Sequence, residues 1–243
     1  MFVFSGATGE LVRVFTTDLG SSVVDVAFFS DDTLAIATLV GTIAAYDVAT
    51  GNIVLNFECG FALESFGVSC TYFAAAGMCA PAPSLHCREL TPAYIKKFQG
   101  GTTGRFLVAT KAGVRKLVYT APPGAHYGLI TFSEDERKVY AKTMLYRIGT
   151  FDIEHSDQAP HFVDAPELTV IALSSTGLMA AFHADHQEDA RVYSLRDPDA
   201  DEFLMQVFVF HDTNGQMCFI GSQRLLIASG GSLVQHYLAD VHV

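Results

Sequence analysis

An all-β fold built from repeated antiparallel strand units is predicted by three observations. Residues 4–15 and 46–57 share a strand, a Thr-Gly turn and a second strand, at a constant offset of 42 residues. Residues 26–47 and 129–152 each contain an apolar strand that ends in Phe-Ser, then an acidic turn, a second strand and a closing aromatic-Asp pair. No stretch keeps a helical period with capping residues, so we expect very little helix.

The strand pattern, followed along the chain, predicts six strand triplets in a single domain over residues 1–243. The triplets are 23–29, 34–38 and 42–47; 68–73, 78–82 and 85–90; 93–98, 105–110 and 114–119; 127–132, 138–143 and 147–153; 168–173, 178–182 and 191–195; and 216–220, 224–228 and 233–238. Fourth strands are predicted at 53–57 and 203–210. Residues 2–5 look like the last strand of a further unit.

The best unit, VVDVAFFSDDTLAIATLVGTIAAYDVATGNIVLNF at residues 23–57, resembles a WD repeat. This resemblance implies a WD-repeat-like β-propeller of about six blades, or a seven-blade ring that is truncated or reduced. The chain has no Gly-His dipeptide and no tryptophan, so the family's Asp-His-Ser/Thr-Trp hydrogen-bond network is not expected. The implied structural repeat positions are Phe29, Tyr46, Asp47, Phe132, Phe151 and Asp152. Phe29, Ile36, Tyr46 and Phe132 are expected to be buried between blades.

The charge of the chain is unevenly distributed. The formal net charge is −11, which disfavours bulk binding to nucleic acid or anionic membranes. Eleven of the 15 basic residues nevertheless lie in residues 88–147, with only four acidic residues. This basic segment is interpreted as solvated strand faces, an acidic-partner surface or an RNA-binding surface. The candidate partner-binding residues are Arg88, Lys96, Lys97, Arg105, Arg115, Lys116, Arg137 and Lys138.

Candidate chemistry is sparse. His183, Asp185 and His186 are ligand types for a divalent metal, but their spacing matches no metal motif, and a solvated loop is the preferred interpretation. No cofactor and no catalytic residue are predicted. The five cysteines are expected to be free thiols. The uncharged residues 65–87 are interpreted as two buried strands and not as a membrane span, so no membrane partner is expected.

The sequence therefore favours a non-catalytic protein–protein interaction scaffold of the WD-repeat type, a subunit or adaptor of a larger cytoplasmic or nuclear complex. One alternative is a propeller enzyme or metal-binding propeller with ligands at the channel mouth. Another is a component of an RNA–protein assembly that binds through residues 88–147. The sequence does not predict the oligomeric state. Because folds do not determine function, the choice depends on the surface that the structure presents.

Overall fold

The computed structural model describes residues 2–5, 7–15, 21–79, 103–123, 127–143, 147–164, 168–183, 186–195, 205–208, 216–220, 224–229 and 232–238. These residues form 21 strands and no helix. The fold is an all-β β-propeller with five blades, in agreement with the predicted class. The chain divides into two compact units, residues 1–126 and 127–243. They are described one at a time.

Each blade is an antiparallel sheet whose strands follow one another in chain order. The first unit holds an N-terminal hairpin, β1 (Phe2–Phe4) and β2 (Leu11–Val14), and two blades. The first blade is β3 (Val23–Ser30), β4 (Thr33–Thr38), β5 (Thr42–Asp47) and β6 (Ile53–Glu58). The second blade is β7 (Ala62–Val68), β8 (Tyr72–Cys79), β9 (Thr103–Thr110) and β10 (Arg115–Pro123).

The second unit holds three blades. The third blade is β11 (Tyr127–Phe132), β12 (Lys138–Thr143), β13 (Arg147–Asp152) and β14 (His161–Asp164). The fourth is β15 (Leu168–Leu173), β16 (Leu178–His183), β17 (His186–Ser194) and β18 (Met205–Phe208). The fifth is β19 (Gln216–Ile220), β20 (Arg224–Ser229) and β21 (Ser232–Tyr237).

The described residues form five blades where the strand pattern predicted six triplets. The difference lies in the second and third triplets, which contribute to one sheet, because β8 pairs directly with β9. Residues 80–102, which join these strands, lie outside the described residues and include the predicted strands 85–90 and 93–98. Apolar content there suggested strands, but a blade is defined by pairing partners, which local composition does not reveal. The other four triplets coincide with single blades.

The N-terminal hairpin is a structural copy of the β5–β6 hairpin. The amide of Gly9 donates to the carbonyl of Ser5 at 2.8 Å, and the amide of Gly51 donates to that of Asp47 at 2.8 Å. Both glycines have positive φ, +71° and +77°, which their turns require. The two hairpins therefore occupy equivalent places, and β1–β2 corresponds to the third and fourth strands of a blade.

Alternating apolar residues give the first blade two buried faces. One packs on the second blade in a core that includes Phe29, Ala35, Ala37 and Phe73. The opposite face carries Leu34, Ile36, Ala44 and Tyr46, which form a cluster with Phe15 and Val3 of the N-terminal segment. In the second unit, separate clusters join the third blade to the fourth and the fourth to the fifth. Phe29, Ile36, Tyr46 and Phe132 are all buried.

Candidate functional site

Exposed apolar side chains are concentrated on the N-terminal hairpin and the first blade. In the described part of the chain, 14 large apolar side chains are exposed, and nine of them lie in residues 4–54. The nine are Phe4, Leu11, Val12, Val14, Val23, Val26, Phe28, Ile53 and Val54. Exposed apolar side chains grouped in this way mark sites of interaction more often than scattered ones do.

Strand β3 places two of these side chains on an apolar blade face. Val26 lies opposite Ile36 on β4, and Phe28 lies opposite Leu34. Directly opposed residues share one face of a sheet. Val26 and Phe28 therefore lie on the same face as the buried cluster that Phe15 covers. They themselves remain 43% and 53% exposed.

In the second blade, the residue that corresponds to Val26 is covered by the preceding blade. Phe66 on β7 lies opposite Ala75 on β8, as Val26 lies opposite Ile36. Phe66 is only 5% exposed, because the Phe29 ring of the preceding blade packs beside it, 6.4 Å between centroids. Phe29 belongs to strand β3, the first strand of that preceding blade. The β1–β2 hairpin has no counterpart of β3 or β4 among the described residues, so nothing equivalent covers Val26.

Specific contacts hold the N-terminal hairpin on the first blade. The Arg13 guanidinium donates to the carbonyl oxygen of Ala49. The rings of Phe15 and Tyr46 meet edge to face, with centroids 5.5 Å apart. On β2, Val12 and Val14 alternate with Arg13 and Phe15, so they face away from the blade. Val26 and Phe28 lie on the face of the first blade that packs on the hairpin. We define the N-terminal apolar surface as these two exposed side chains of β3.

Asp25 on β3 lies opposite Ala37, on the other face of the strand from Val26 and Phe28. Asp25 on β3 accepts a hydrogen bond from the amide of Val26 at 2.8 Å. Partial burial raises the pKa of the Asp25 carboxyl above its ordinary value, although that hydrogen bond opposes the shift.

The second unit contains a cleft of about 730 Å³ between the third and fourth blades. Its floor is built by the turns that follow β11 and β15, whose backbones are joined by a 3.2 Å hydrogen bond from the Glu134 amide to the Ser175 carbonyl. The lining residues are Ser133, Glu134, Asp135, Lys138, Tyr140, Thr150, His161, Ser175, Thr176, Gly177 and Leu195. The lining thus mixes both charges with hydroxyl groups and one imidazole.

Several polar groups that line this cleft form hydrogen bonds within their own turns. Ser133 Oγ donates to Asp135 Oδ1 at 2.6 Å, which holds the pKa of Asp135 below its ordinary value. In the matching turn, the hydroxyls of Ser174 and Thr176 lie 2.8 Å apart. In the sequence, only the Phe-Ser-acidic turn at residues 132–135 pointed to this cleft. The sequence did not predict that residues 133–135 approach residues 174–177. These groups stabilise turns, so the cleft is a candidate binding site without an evident catalytic pair.

The predicted basic residues fall in different places. Arg88, Lys96 and Lys97 lie outside the described residues. Arg105, Arg115 and Lys116 belong to the second blade, while Arg137 and Lys138 belong to the third. The second and third triplets are a single blade, so the basic segment spans fewer blades than expected. The partner-binding role of these residues stays a prediction.

Two of the described basic residues have structural contacts. Arg115 donates to the carbonyl of Glu58 at 2.9 Å, and its guanidinium lies 5.5 Å from the Phe57 ring centroid. These contacts link the second blade to the first. Arg137 lies 3.9 Å from the Glu154 carboxylate in an exposed ion pair, which contributes little stability.

The closing Asp residues of the WD-like units both bind backbone amides. Asp47 Oδ1 accepts hydrogen bonds from the amide and hydroxyl of Thr50, at 2.6 and 2.7 Å. These bonds lower the pKa of Asp47. Asp152 Oδ1 accepts from the amides of Glu154 and His155, each at 2.9 Å. The residues before them, Tyr46 and Phe151, are buried.

The metal candidates are only partly described. His183 ends β16 and His186 begins β17, while Asp185 lies outside the described residues. Within the described ranges, no three His, Cys, Asp or Glu residues are grouped so that they could hold a metal ion. The metal role of His183, Asp185 and His186 stays a prediction.

The described cysteines, Cys59, Cys70, Cys79 and Cys218, are free thiols. Burial, reinforced by the neighbouring Glu58 carboxylate, raises the pKa of Cys59 to about 12. Residues 65–79 belong to β7, β8 and the turn between them, so the segment is β-structure as expected. The predicted bounds were wrong, because the turn is at residues 69–71, inside the predicted strand 68–73. Within the described residues, no helix has the length and apolar character needed to cross a membrane.

Comparisons with known proteins support the fold alone. No protein-family profile matches the chain, and no curated protein matches it in sequence. Its structure is similar to that of the computationally designed protein Ika8, with a TM-score of 0.62 and 12% identity over 99% of this chain. It is also similar to KlHsv2 with loop 6CD replaced by a Gly-Ser linker, with a TM-score of 0.60 and 9% identity over 95% of this chain.

The chain is shorter than both of these structures. It spans 66% of the length of Ika8 and 69% of the length of KlHsv2. The fold and the comparisons together define a β-propeller. At these low identities the likeness carries no information about activity or partners.

Proposed function

We propose that this chain is a non-catalytic protein-binding scaffold of the WD-repeat type, acting as a subunit or adaptor of a larger complex. The observation that carries the proposal is the N-terminal apolar surface, on which Val26 and Phe28 remain exposed on an otherwise buried blade face. Fully burying a Val or Phe side chain is worth about 1.5–3 kcal/mol, so a partner that covers these residues gains affinity.

The WD-repeat assignment is supported by the same hydrogen-bonding arrangement in two blades. Asp47 and Asp152 both follow a buried aromatic residue, and both accept backbone amides of the next turn. The same aromatic-Asp pairs ended the two most WD-like units of the sequence. A common structural use at equivalent positions favours a repeat origin for the first and third blades.

Affinity capture from an extract of the native cells tests the scaffold proposal. We expect the Phe28→Glu variant to lose most of the proteins that the unchanged chain retains. Val118→Glu is the matched control, because Val118 is a 50% exposed apolar residue on β10, outside the N-terminal apolar surface. Circular dichroism and a thermal scan establish that both variants are folded. Equal capture by both variants would count against this surface as the binding site.

A further inference from the structure

The cleft between the third and fourth blades has the size and the fixed frame of a ligand-binding site. Its volume of about 730 Å³ lies in the range of about 300–1,000 Å³ that small-ligand sites occupy. The structure describes all eleven residues that line it. Hydrogen bonds close both of its turns, because the Glu136 amide donates to the Ser133 carbonyl at 2.9 Å and the Gly177 amide donates to the Ser174 carbonyl at 3.2 Å.

The Glu134 carboxylate is the acidic group of the cleft that can take a ligand without breaking a contact of the fold. The Glu134 amide donates to the Ser175 carbonyl of the neighbouring turn, which fixes the backbone. Its side chain forms no hydrogen bond or ion pair with any residue that the structure describes. Asp135, in contrast, already accepts the Ser133 hydroxyl at 2.6 Å and the Arg137 amide at 3.1 Å.

The charge around the cleft selects a cationic ligand. The second unit contains 17 acidic and seven basic residues, a formal net charge of −10, whereas the first unit, with nine and eight, carries −1. Hydrogen bonds lower the pKa of Asp135, and the charges of Arg137 and Lys138 lower it further. Lys138 thus offsets the charge of Asp135 and leaves that of Glu134. An acidic unit raises the local concentration of cations at such a site.

The cleft also offers apolar contact and hydroxyl acceptors, which together distinguish among cations. The Tyr140 ring packs on the cluster that includes Leu195, and its hydroxyl lies 3.5 Å from where a Cβ on Gly177 would be. The hydroxyls of Thr150 and Ser175 also line the cleft. An arginine side chain has an apolar stem for such a surface and five donors for several acceptors, whereas lysine has three.

We propose that this cleft binds an arginine side chain of a partner polypeptide, with Glu134 as its counter-charge. The guanidinium pairs with the Glu134 carboxylate and donates to the hydroxyls of Thr150 and Ser175, while the stem contacts Tyr140 and Leu195. This inference goes beyond the proposed function, because it adds a second binding site whose ligand chemistry differs from that of the N-terminal apolar surface. Neither site requires the other.

A short peptide tests the site on the whole protein. The probe is acetyl-Gly-Arg-Gly-amide, and the same peptide with citrulline in place of arginine is its uncharged control. In NMR titrations of the isotope-labelled protein, we expect saturable shifts of the amides of residues 133–138 and 174–177 with the arginine peptide. The citrulline peptide should bind at least about tenfold more weakly, because it lacks the charge that pairs with the carboxylate.

Three protein variants separate a local contact from the net charge of the unit. Glu134→Gln should weaken binding of the arginine peptide about fivefold, and Lys138→Gln should strengthen it about twofold, because each changes a charge that lines the cleft. Asp157→Asn is the matched control, since it removes one negative charge from an exposed position of the same unit outside the cleft. It should bind the peptide like the unchanged chain.

The outcomes also separate this inference from the scaffold proposal. Shifts confined to other residues, no saturable binding, or equal binding of the two peptides would overturn the arginine site. Equal losses for Glu134→Gln and Asp157→Asn would overturn it as well, because net charge would then account for binding. The Phe28→Glu protein should bind the arginine peptide normally, so failure of the peptide leaves capture through Phe28 untouched.

Discussion

The first unit contains two comparable contacts, one between the first and second blades and one between the N-terminal hairpin and the first blade, and they bury different parts of a sheet. Where the first blade meets the second, four strands of one sheet face four strands of the other, and Phe73 is fully buried among Phe29, Phe57 and Phe66. Where the N-terminal hairpin meets the first blade, two strands face four. The middle of the sheet, including Ile36, is buried there, but β3 is not. The two contacts therefore differ in whether they cover the first strand of the sheet on which they pack.

The largest expected difference is between Phe73 and Phe28. Phe73→Ala removes a fully buried ring and should destabilise the protein by about 3–5 kcal/mol. Phe28→Ala removes a ring that is 53% exposed and should change stability by about 0.5 kcal/mol or less. Urea unfolding of both variants measures the contrast. A large loss for Phe28→Ala would mean that its face is already covered in solution.

Phe57 and Phe15, which are related by the 42-residue offset, compare the packing of the first blade on the second with the packing of the hairpin on the first blade. The ring centroids of Phe57 and Phe73 are 5.1 Å apart, and the Arg115 guanidinium also packs on the Phe57 ring. The ring centroids of Phe15 and Tyr46 are 5.5 Å apart. Both substitutions to alanine should cost about 3–5 kcal/mol, with Phe57→Ala the larger by about 1 kcal/mol. Equal or reversed losses in urea unfolding would show that the hairpin packs as firmly as a complete blade.

Arg115 gives a smaller test of the complete contact, and its neighbour is the control. Arg115→Ala removes the hydrogen bond to Glu58 and the contact with the Phe57 ring, and should cost about 1 kcal/mol. Lys116→Ala on the same strand should have almost no effect, since Lys116 is exposed. The thermal midpoints of the two variants measure the difference. Equal midpoints would mean that Arg115 adds nothing to the contact between the blades.

The two equivalent turns should respond differently to acid. Asp47 has a lowered pKa in the folded state, so its contribution is complete above the ordinary value of 3.8 and is lost as the pH falls through the folded value. Ser5, which occupies the matching position, does not titrate. Amide exchange should therefore show Thr50 losing protection at low pH relative to neutral pH, after correction for intrinsic rates, with Thr8 unaffected. Parallel loss at both turns would indicate general opening and not titration of Asp47.

Much of the blade architecture was predictable because each strand carries its own alternation. The first and third blades were located from Phe-Ser turns, the fourth and fifth from apolar strands, and β3–β5 agree closely with the predicted triplet. The blade count was wrong at the second and third triplets, because β8 pairs directly with β9; the predicted strands 85–90 and 93–98 lie outside the described residues. Local patterns describe single strands, whereas the blade count depends on which strands pair.

The candidate surfaces were beyond local prediction. The sequence indicated that Phe29 would be buried, but it did not indicate that its neighbour Phe28, on the opposite face of the same strand, is 53% exposed. The cleft in the second unit forms where two turns about 40 residues apart are joined through Glu134 and Ser175. Both features come from the packing of one sheet against another, which a strand pattern does not encode.

Site-specific photo-crosslinking is the most direct test of whether the exposed part of β3, around Phe28, binds another protein. Benzoylphenylalanine replaces Phe28 in one protein and Val118 in another, and each is irradiated in an extract of the native cells. We predict discrete polypeptide adducts from position 28 that are absent from position 118. Adducts from position 118 alone, or none from either position, would contradict the account.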